Sequence, residues 1–127
     1  MRFFILSFSF CRGGAGFAAN KFSNLAGLLG FEVERISQDS DKGVHFVKRV
    51  ISWILEKFEW DIDNPAKHSL NLFSFPRAIW ALRNKEDLHH IHWINNDTIS
   101  IFDFDQIPSG SIISLHDEWL YCGSEHC

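Results

Sequence analysis

The first thirty residues carry the pattern that most narrows the fold, because an almost continuous apolar run is followed by a glycine cluster and an amphipathic segment. Residues 3–10 predict a strand that is buried on both faces, as in a parallel sheet. Residues 12–16 predict a tight turn, and residues 17–29 predict a helix that ends at Gly30. The expected inner face of this helix consists of Phe22, Leu25, Leu28 and Leu29.

The rest of the chain alternates strand and helix patterns in the same way. A second strand, expected next to the first, is predicted at residues 31–37, and an amphipathic helix at residues 41–58 with Asp41 as its N-cap. The apolar positions of that helix are Val44, Val47, Val50, Ile51, Ile54, Leu55 and Phe58. The later predicted elements are strands at 69–73, 88–95 and 111–119, helices at 76–84 and 98–106, and a turn at 108–110.

This alternation predicts parallel strands joined by right-handed crossovers. The predicted fold is α/β, a Rossmann-like parallel sheet flanked by helices, in one domain that takes in residues 1–127. With 127 residues and a hydrophobic fraction of 46%, the chain is long enough to bury a core.

Composition excludes several classes of protein. The formal net charge is −4 and the cations are scattered, so no nucleic-acid partner is expected. An odd number of cysteines, Cys11, Cys122 and Cys127, fits a reducing compartment, and we expect a cytoplasmic protein. Residues 1–19 could pass for a signal peptide, but Arg12 beside two glycines does not suit a cleavage site.

The amphipathic helix predicted at residues 41–58 allows two interpretations. The simpler hypothesis is a helix that lies on the sheet. The other is a peripheral contact with the inner face of a membrane through its basic flank, which would suit an enzyme that acts on lipid-linked acceptors. The charged residues of that flank are Lys42, Lys48, Arg49, Glu56 and Lys57.

Two of the predicted strands end in clusters of histidine and tryptophan. Residues 88–95 contain His89, His90 and His92, and residues 111–119 contain His116. Because the carboxyl ends of parallel strands meet at one edge of a sheet, where ligands bind, this edge is the expected site. The glycine turn reaches the same edge, where backbone N–H groups and a helix dipole suit a phosphate or a carboxylate.

The residue spacing bears on three other kinds of site. A metal-dependent enzyme would use the histidines, and His90 and His92 share one strand face, but no Cys-x-x-Cys or His-x-x-x-His pair is present and no metal is expected. A triad of Ser114, His116 and Asp117 is not expected, because adjacent strand residues point to opposite faces. A non-catalytic module that holds a ligand or partner in the same crevice stays open, as does the metal-dependent alternative.

The glycine loop and the two histidine strands together resemble the amino-terminal domain of the family 4 glycosyltransferases. The segments concerned are Arg12-Gly13-Gly14-Ala15-Gly16, His90-Ile91-His92-Trp93-Ile94-Asn95 and Leu115-His116-Asp117-Glu118-Trp119, in this order. The resemblance implies a GT-B enzyme of two Rossmann-like domains, acting in surface polysaccharide synthesis. Such an enzyme moves a sugar, with retention of configuration, from a nucleotide-sugar donor to a glycan or lipid-linked acceptor, usually without a metal.

The same resemblance implies roles for individual residues. His116 would be the catalytic residue beside the transferred sugar. The donor-diphosphate loop would be Gly13, Gly14, Ala15 and Gly16. The acceptor side of the cleft would be lined by His92, Trp93, Asn95, Asp117 and Trp119. The chain would then be an incomplete amino-terminal half, unable to transfer sugar alone, since the Glu-x7-Glu motif of the family's second domain does not occur in it.

Overall fold

Strands and helices alternate along the chain in the computed structural model, which describes residues 1–39, 43–58, 67–68, 70–116 and 125–126. The strands are β1 (Arg2–Leu6), β2 (Glu32–Ile36), β3 (Lys67–His68), β4 (Leu88–Ile91), β5 (Ile112–Ile113) and β6 (Glu125–His126). The helices are α1 (Gly13–Leu28), α2 (Val44–Phe58), α3 (Pro76–Leu82) and a 3-10 helix at Ile101–Gln106.

The central layer is a four-stranded parallel sheet in the order β2-β1-β4-β5. This sheet, flanked by helices, confirms the predicted α/β Rossmann-like fold. The chain runs outward from β1 to β2 and then returns to β4 on the other side of β1, so the strand order reverses between β1 and β4. In an open α/β sheet, the carboxyl ends at such a reversal form the crevice that binds ligands. β3 and β6 pair antiparallel in a separate two-stranded sheet.

Side chains of β1 alternate between two cores, one on each face of the sheet. Phe4 and Leu6 belong to the core that contains Leu82 of α3, whereas Ile5 packs with Ala19 of α1. A strand buried on both faces needs the continuous apolar sequence that predicted it. The helices therefore cover opposite faces and leave the strand ends open.

Several predicted boundaries are confirmed. Gly30, with a φ of +88°, ends α1, and Pro76 occupies the first turn of α3. The turn before β5 contains Gly110 at a φ of +88° and is closed by a hydrogen bond of 3.1 Å from the Ser111 N–H to the Pro108 carbonyl. Within the described ranges, no helix is long and apolar enough to cross a membrane.

The glycine cluster was expected to be a turn ahead of the helix, and this is wrong in detail. Helix α1 begins at Gly13, so the cluster forms its first turn. The chain turns earlier, because the buried hydroxyl oxygen of Ser9 accepts hydrogen bonds from the N–H groups of Cys11 (3.0 Å) and Arg12 (3.1 Å).

The predicted inner face of α1 is also wrong. Its supposed core residues are all exposed, namely Phe22, Leu25, Leu28 and Leu29. The buried face instead consists of the small residues Gly16, Ala19, Ser23 and Ala26. Small side chains allow the helix to approach the sheet closely, and this close packing decides which face is turned inward.

Helix α2 has the opposite orientation to the one predicted. Val47, Val50, Ile51, Ile54 and Leu55 were expected to lie on the sheet, but all five are exposed. The buried positions are His45 and Ser52. A hydrogen bond of the polar face explains this orientation of the helix, since the Nε2 atom of His45 lies 2.9 Å from the carbonyl oxygen of Asp97. The predicted N-cap, Asp41, and the flanking Lys42 lie outside the described residues.

The strands β1, β2, β4 and β5 are all shorter than predicted. β1 ends at Leu6, although the N–H of Phe8 still donates to the carbonyl of Trp93 at 3.0 Å. β5 contains only Ile112 and Ile113, with one further ladder bond from the Ser114 N–H. No strand forms over residues 70–73. Here the side-chain amide of Asn71 donates hydrogen bonds to the backbone carbonyls of Ile94 and Ile99 in a neighbouring loop. Residue 69 lies outside the described ranges.

Candidate functional site

A cavity of about 540 Å³ opens at the carboxyl ends of β1, β4 and β5, where the strand order reverses. The first turn of α1 forms one side, the segment after β4 a second, and His116, three residues beyond the end of β5, a third. The lining residues are Phe8, Arg12, Gly13, Gly14, Ala15, Trp93, Asn96 and His116. We call this cavity the cleft. Its position agrees with the edge that the sequence indicated.

The glycines of α1 serve different purposes. Gly13 has a φ of +66°, a conformation that favours glycine. A Cβ at Gly14 would meet nothing within 4 Å, so packing does not require glycine there. A Cβ at Gly16 would lie 2.7 Å from the carbonyl oxygen of Ser9. Gly16 is not among the described residues that line the cleft, and its role is to let α1 approach the preceding segment.

The start of α1 presents a positive end to the cleft. Arg12 is its N-cap and makes no side-chain capping hydrogen bond, so the N–H groups of the first turn are not used by that side chain. The guanidinium of Arg12 adds a positive charge at the same edge, because Arg12 itself lines the cleft. Backbone N–H groups, the helix dipole and a cation together suit an anionic ligand.

A carboxylate braces the segment that leads into α1. The Oδ2 atom of Asp39 accepts hydrogen bonds from the Phe10 N–H (2.9 Å) and from the Ser37 hydroxyl (3.1 Å). Partial burial pushes the pKa of Asp39 upward, but hydrogen bonds from Ser9, Phe10 and Ser37 outweigh it, and the pKa lies below its usual value. An ionised Asp39 therefore holds the chain between β1 and α1 in place.

Aromatic residues form the apolar wall of the cleft. The rings of Phe8 and Trp93 meet edge to face with their centroids 5.5 Å apart, and the guanidinium of Arg49 lies 5.1 Å from the Phe8 ring. Trp93 was predicted at this site. Phe8 was missed, because the sequence assigned it to the interior of the first strand.

Four polar side chains lie together where β4 and β5 end. The Nδ1 atom of His92 is 3.0 Å from Nε2 of His116, and Nε2 of His90 is 2.8 Å from the hydroxyl of Ser114. The rings of His90 and His92 are 4.2 Å apart between centroids, as expected for residues on one strand face. Phe22 of α1 covers both rings. Only His116 of this group lines the cleft.

Burial keeps the inner histidines uncharged. Burial, with smaller effects of His90 and His116, lowers the pKa of His92 to about 4. Burial and the neighbouring His116 also lower the pKa of His90. Both rings are neutral at neutral pH. The proton between the two rings is on Nδ1 of His92 in one pair of neutral tautomers and on Nε2 of His116 in the other.

The sequence predicts His92 and Asn95 on the acceptor side of the cleft. In the structure both side chains are buried, and other residues line the cleft. Each is 1% exposed, and neither is among the described lining residues. Asn96 lines the cleft instead, with Asn96 and Asp97 in the left-handed region at φ values of +55° and +58°. The run of Asn and Asp after β4 was the available signal, since these residues tolerate that conformation.

A buried polar network supports this left-handed loop. The Asn71 amide donates to the carbonyls of Ile94 (2.9 Å) and Ile99 (3.1 Å), and its oxygen accepts from the N–H of Asp97 (3.0 Å). The amide of Gln38 donates to the Thr98 hydroxyl at 2.9 Å. The loop is therefore held by side-chain bonds to the backbone rather than by a ladder.

The alternatives from the sequence have the following outcomes. Ser114 bonds to His90 rather than to His116, so the Ser–His pair that a triad would need is not formed by these two residues. No group of three or more His, Cys, Asp or Glu side chains that could hold a metal ion occurs in the part of the chain that the structure describes.

His89 points to the opposite core, with its Nε2 atom 3.0 Å from the Ala81 carbonyl. Asp117, Trp119, Cys122 and Cys127 lie outside the described residues.

Comparison of the chain with protein-family models, with curated proteins and with solved structures finds no match in any of the three.

Proposed function

We propose that this chain is the acceptor-side, amino-terminal domain of a retaining GT-B glycosyltransferase, and that the cleft takes the diphosphate and the sugar of a nucleotide-sugar donor. One observation supports this above the others. The first turn of α1 and His116, which are far apart in sequence, line the same cavity where the order of a parallel sheet reverses. A diphosphate suits the helix end, and a sugar hydroxyl suits an imidazole.

The diphosphate would bind at the first turn of α1. Arg12 supplies a cation there, and the missing side chain at Gly14 leaves open space over the backbone. An oxygen of the phosphate can then approach the N–H groups directly. Charge that develops on the leaving diphosphate would be stabilised by the same groups.

The sugar would lie between His116 and the aromatic wall formed by Phe8 and Trp93. His116 is the proposed catalytic residue, because it is the only member of the histidine group among the residues lining the cleft. His92 is a positioning residue, since it bonds to His116 at 3.0 Å from a buried site and stays neutral. This bond fixes the ring orientation of His116.

The resemblance supplies the rest of the proposal. The acceptor would be a glycan or a lipid-linked sugar used for surface polysaccharide, the reaction would take place in the cytoplasm, and no metal or other cofactor is proposed. A second, donor-binding domain would complete the enzyme.

Nucleotide-sugar binding by this chain tests the proposal. We expect titration with UDP-glucose or GDP-mannose to shift the amide signals of Gly13, Gly14 and Ala15 in a ¹H–¹⁵N spectrum. Gly14→Ala should weaken binding by about tenfold, or about 1.4 kcal/mol, because its methyl group occupies the space above the backbone. The control is Gly27→Ala, in the same helix and also without neighbours within 4 Å, which should bind as the original chain does.

His116→Ala tests the other side of the cleft. It should weaken binding of the sugar nucleotide roughly three- to tenfold through loss of one hydrogen bond, while binding of the nucleotide diphosphate alone stays unchanged. Leu115→Ala, at an exposed neighbouring position, is the control. Equal effects of Gly14→Ala and Gly27→Ala, or no shifts at the first turn of α1 with either nucleotide-sugar, would contradict the assignment of the cleft.

A further inference from the structure

A second cavity, of about 460 Å³, lies between α2, α3, the 3-10 helix and the loop that precedes α3. None of the described residues lines both this cavity and the cleft. The polar and aromatic residues of its lining are Lys48, Phe73, Ser74, Trp80, Arg83 and Asp103. We propose that this second cavity binds a sugar that carries a phosphate or a carboxylate group.

An indole ring forms the apolar side of the second cavity. Trp80 of α3 is 47% exposed, and its ring meets that of Phe4 edge to face with the centroids 5.8 Å apart. The guanidinium of Arg2 lies 5.7 Å from the same indole, and Arg2 is itself paired with Asp87 at 3.1 Å. The indole is therefore held in place by the protein while nearly half of its surface stays open to a ligand.

A carboxylate is fixed on the polar side of the second cavity. The Ser74 hydroxyl donates to the Oδ2 atom of Asp103 at 2.6 Å, and the hydroxyl oxygen accepts from the Ser100 N–H at 2.7 Å. These bonds set the position of Asp103 before any ligand arrives. A carboxylate only accepts hydrogen bonds, so a ligand that reaches Asp103 must offer it a hydroxyl or an N–H group.

Two cations complete the lining. Lys48 of α2 and Arg83 at the end of α3 both border the second cavity, and the ammonium of Lys48 lies 5.8 Å from the Phe73 ring. Within the described part of the chain, neither cation forms a salt bridge with a carboxylate. Two such cations beside one cavity suit an anionic group, and a guanidinium can hold a phosphate or a carboxylate through two parallel hydrogen bonds.

An acidic sugar meets all three requirements. Its C–H face can pack on the indole of Trp80, its hydroxyl groups can donate to Asp103, and its acidic group can lie between Lys48 and Arg83. The cavity volume falls within the range of about 300–1,000 Å³ that is usual for sites of small molecules. One ligand would therefore use the apolar, the acidic and the cationic side together.

Simpler ligands use only part of the second cavity. Inorganic phosphate would leave the indole of Trp80 uncovered and would be repelled by the carboxylate of Asp103. A neutral sugar would leave Lys48 and Arg83 without an anion. A fatty acid has no donor for Asp103. These differences give the proposal its tests.

Helix α2 separates the second cavity from the cleft. Its consecutive residues Lys48 and Arg49 point to different aromatic rings, since Lys48 lies near Phe73 and Arg49 lies 5.1 Å from Phe8, which lines the cleft. A ligand of the second cavity is therefore independent of the proposed glycosyl transfer, and either proposal can fail alone.

Titration of the chain with glucose 6-phosphate and with glucuronate tests the proposal. In a ¹H–¹⁵N spectrum we expect either acidic sugar to shift the indole N–H signal of Trp80 and the amide signals of Phe73 and Ser74. Glucose and inorganic phosphate, as separate probes, should bind at least tenfold more weakly than glucose 6-phosphate, because each meets only some of the lining groups.

Charge variants test the two cations. Arg83→Gln and Lys48→Gln should each raise the dissociation constant of glucose 6-phosphate about three- to fivefold, as expected for exposed charge pairs. Lys85→Gln removes an equally exposed cation that does not line the second cavity and should leave binding unchanged. Circular dichroism should show the same helix content for all three variants.

Asp103→Asn distinguishes a sugar from a bare anion. It removes a negative charge, so inorganic phosphate should bind more tightly, whereas the sugar loses a strong acceptor for its hydroxyl groups. The ratio of the affinities for glucose 6-phosphate and for phosphate should therefore fall about threefold or more.

Four outcomes would overturn the proposal. They are no shift at Trp80 with either acidic sugar, phosphate binding as tight as that of glucose 6-phosphate, equal effects of Arg83→Gln and Lys85→Gln, and tighter binding of UMP than of both acidic sugars. Shifts confined to Gly13 and Gly14 would place the sugar phosphate in the cleft and would also contradict it. Gly14→Ala, which should weaken nucleotide-sugar binding in the cleft, should leave the second cavity unaffected.

Discussion

Gly16 is the position at which one added carbon should most disturb the fold. A Cβ there would lie 2.7 Å from the backbone oxygen of Ser9, so α1 or the preceding segment must move. We expect Gly16→Ala to lower the free energy of unfolding by about 1–3 kcal/mol, as overpacking does, measured by urea denaturation. Gly27→Ala adds the same methyl group in the same helix with open space around it and should raise stability by up to about 1 kcal/mol. Similar midpoints for the two variants would contradict the close approach.

Asn71 combines a left-handed backbone, at a φ of +47°, with three hydrogen bonds to the loop after β4. Asn71→Ala should lower the free energy of unfolding by about 3 kcal/mol or more, because buried backbone groups lose their partners and an alanine is strained at that φ. Asn71→Gly removes the same hydrogen bonds without the strain and should be about 1 kcal/mol more stable than Asn71→Ala. If the alanine variant is the more stable of the two, the left-handed conformation is wrong.

Individual residues also show which side-chain positions could be predicted from the sequence and which could not. The period of two along β4 correctly predicted that His90 and His92 share a face, which the structure shows as a 4.2 Å ring separation. Asn95 was predicted to line the cleft, whereas its side chain is buried and Asn96 is the lining residue. The strand ends at Ile91. Asn96, which has a left-handed backbone conformation, is the residue that lines the cleft. No periodic pattern contains that information.

Helices were predictable as elements, but their orientation was not. The period of 3.6 predicted both α1 and α2, and the structure has a helix in each place. In α1 the small residues at 16, 19, 23 and 26 are buried, since close approach outweighs the burial of leucine. In α2 a histidine bond to the Asp97 carbonyl fixes the polar face inward. Both causes are tertiary contacts, which a hydrophobic pattern does not contain.

The sheet itself was predictable because its causes are local and repeated. Alternating strand and helix patterns predicted parallel strands, and β2 lies beside β1 as expected. The site edge followed from the same argument, since the carboxyl ends of parallel strands meet. The shortness of β5, with two residues, was not foreseen, because its apolar run continues in sequence beyond the last pairing.

The stability of the whole molecule should depend on pH through its buried histidines. An unfolded His92 titrates near 6.5, whereas the folded one has a pKa of about 4. Between these values the unfolded chain binds more protons, so the free energy of unfolding should be constant above about pH 7 and fall as the pH drops from 6.5 towards 4. His90, whose pKa is also lowered, adds to the same fall.

Two acidic residues affect the free energy of unfolding at a lower pH than the histidines do. A backbone hydrogen bond from the Arg2 N–H holds the pKa of Asp87 below its ordinary value of 3.8, and Asp39 is lowered as well, so their contribution is lost only as the pH falls below about 3.8. Urea denaturation across pH 4 to 7 therefore isolates the histidines. His92→Leu should flatten the dependence in that range. An unchanged slope in the variant would show that His92 is not the group responsible.

The central position of β1 has a consequence during synthesis. Its partners are β2, which begins at residue 32, and β4, which begins at residue 88. The ribosome must add residues 37 to 87 before the second partner exists, which takes roughly 3 to 10 seconds at ordinary elongation rates. For that interval one edge of the most apolar strand has no partner, so the nascent chain should be a substrate for chaperones that bind extended hydrophobic segments.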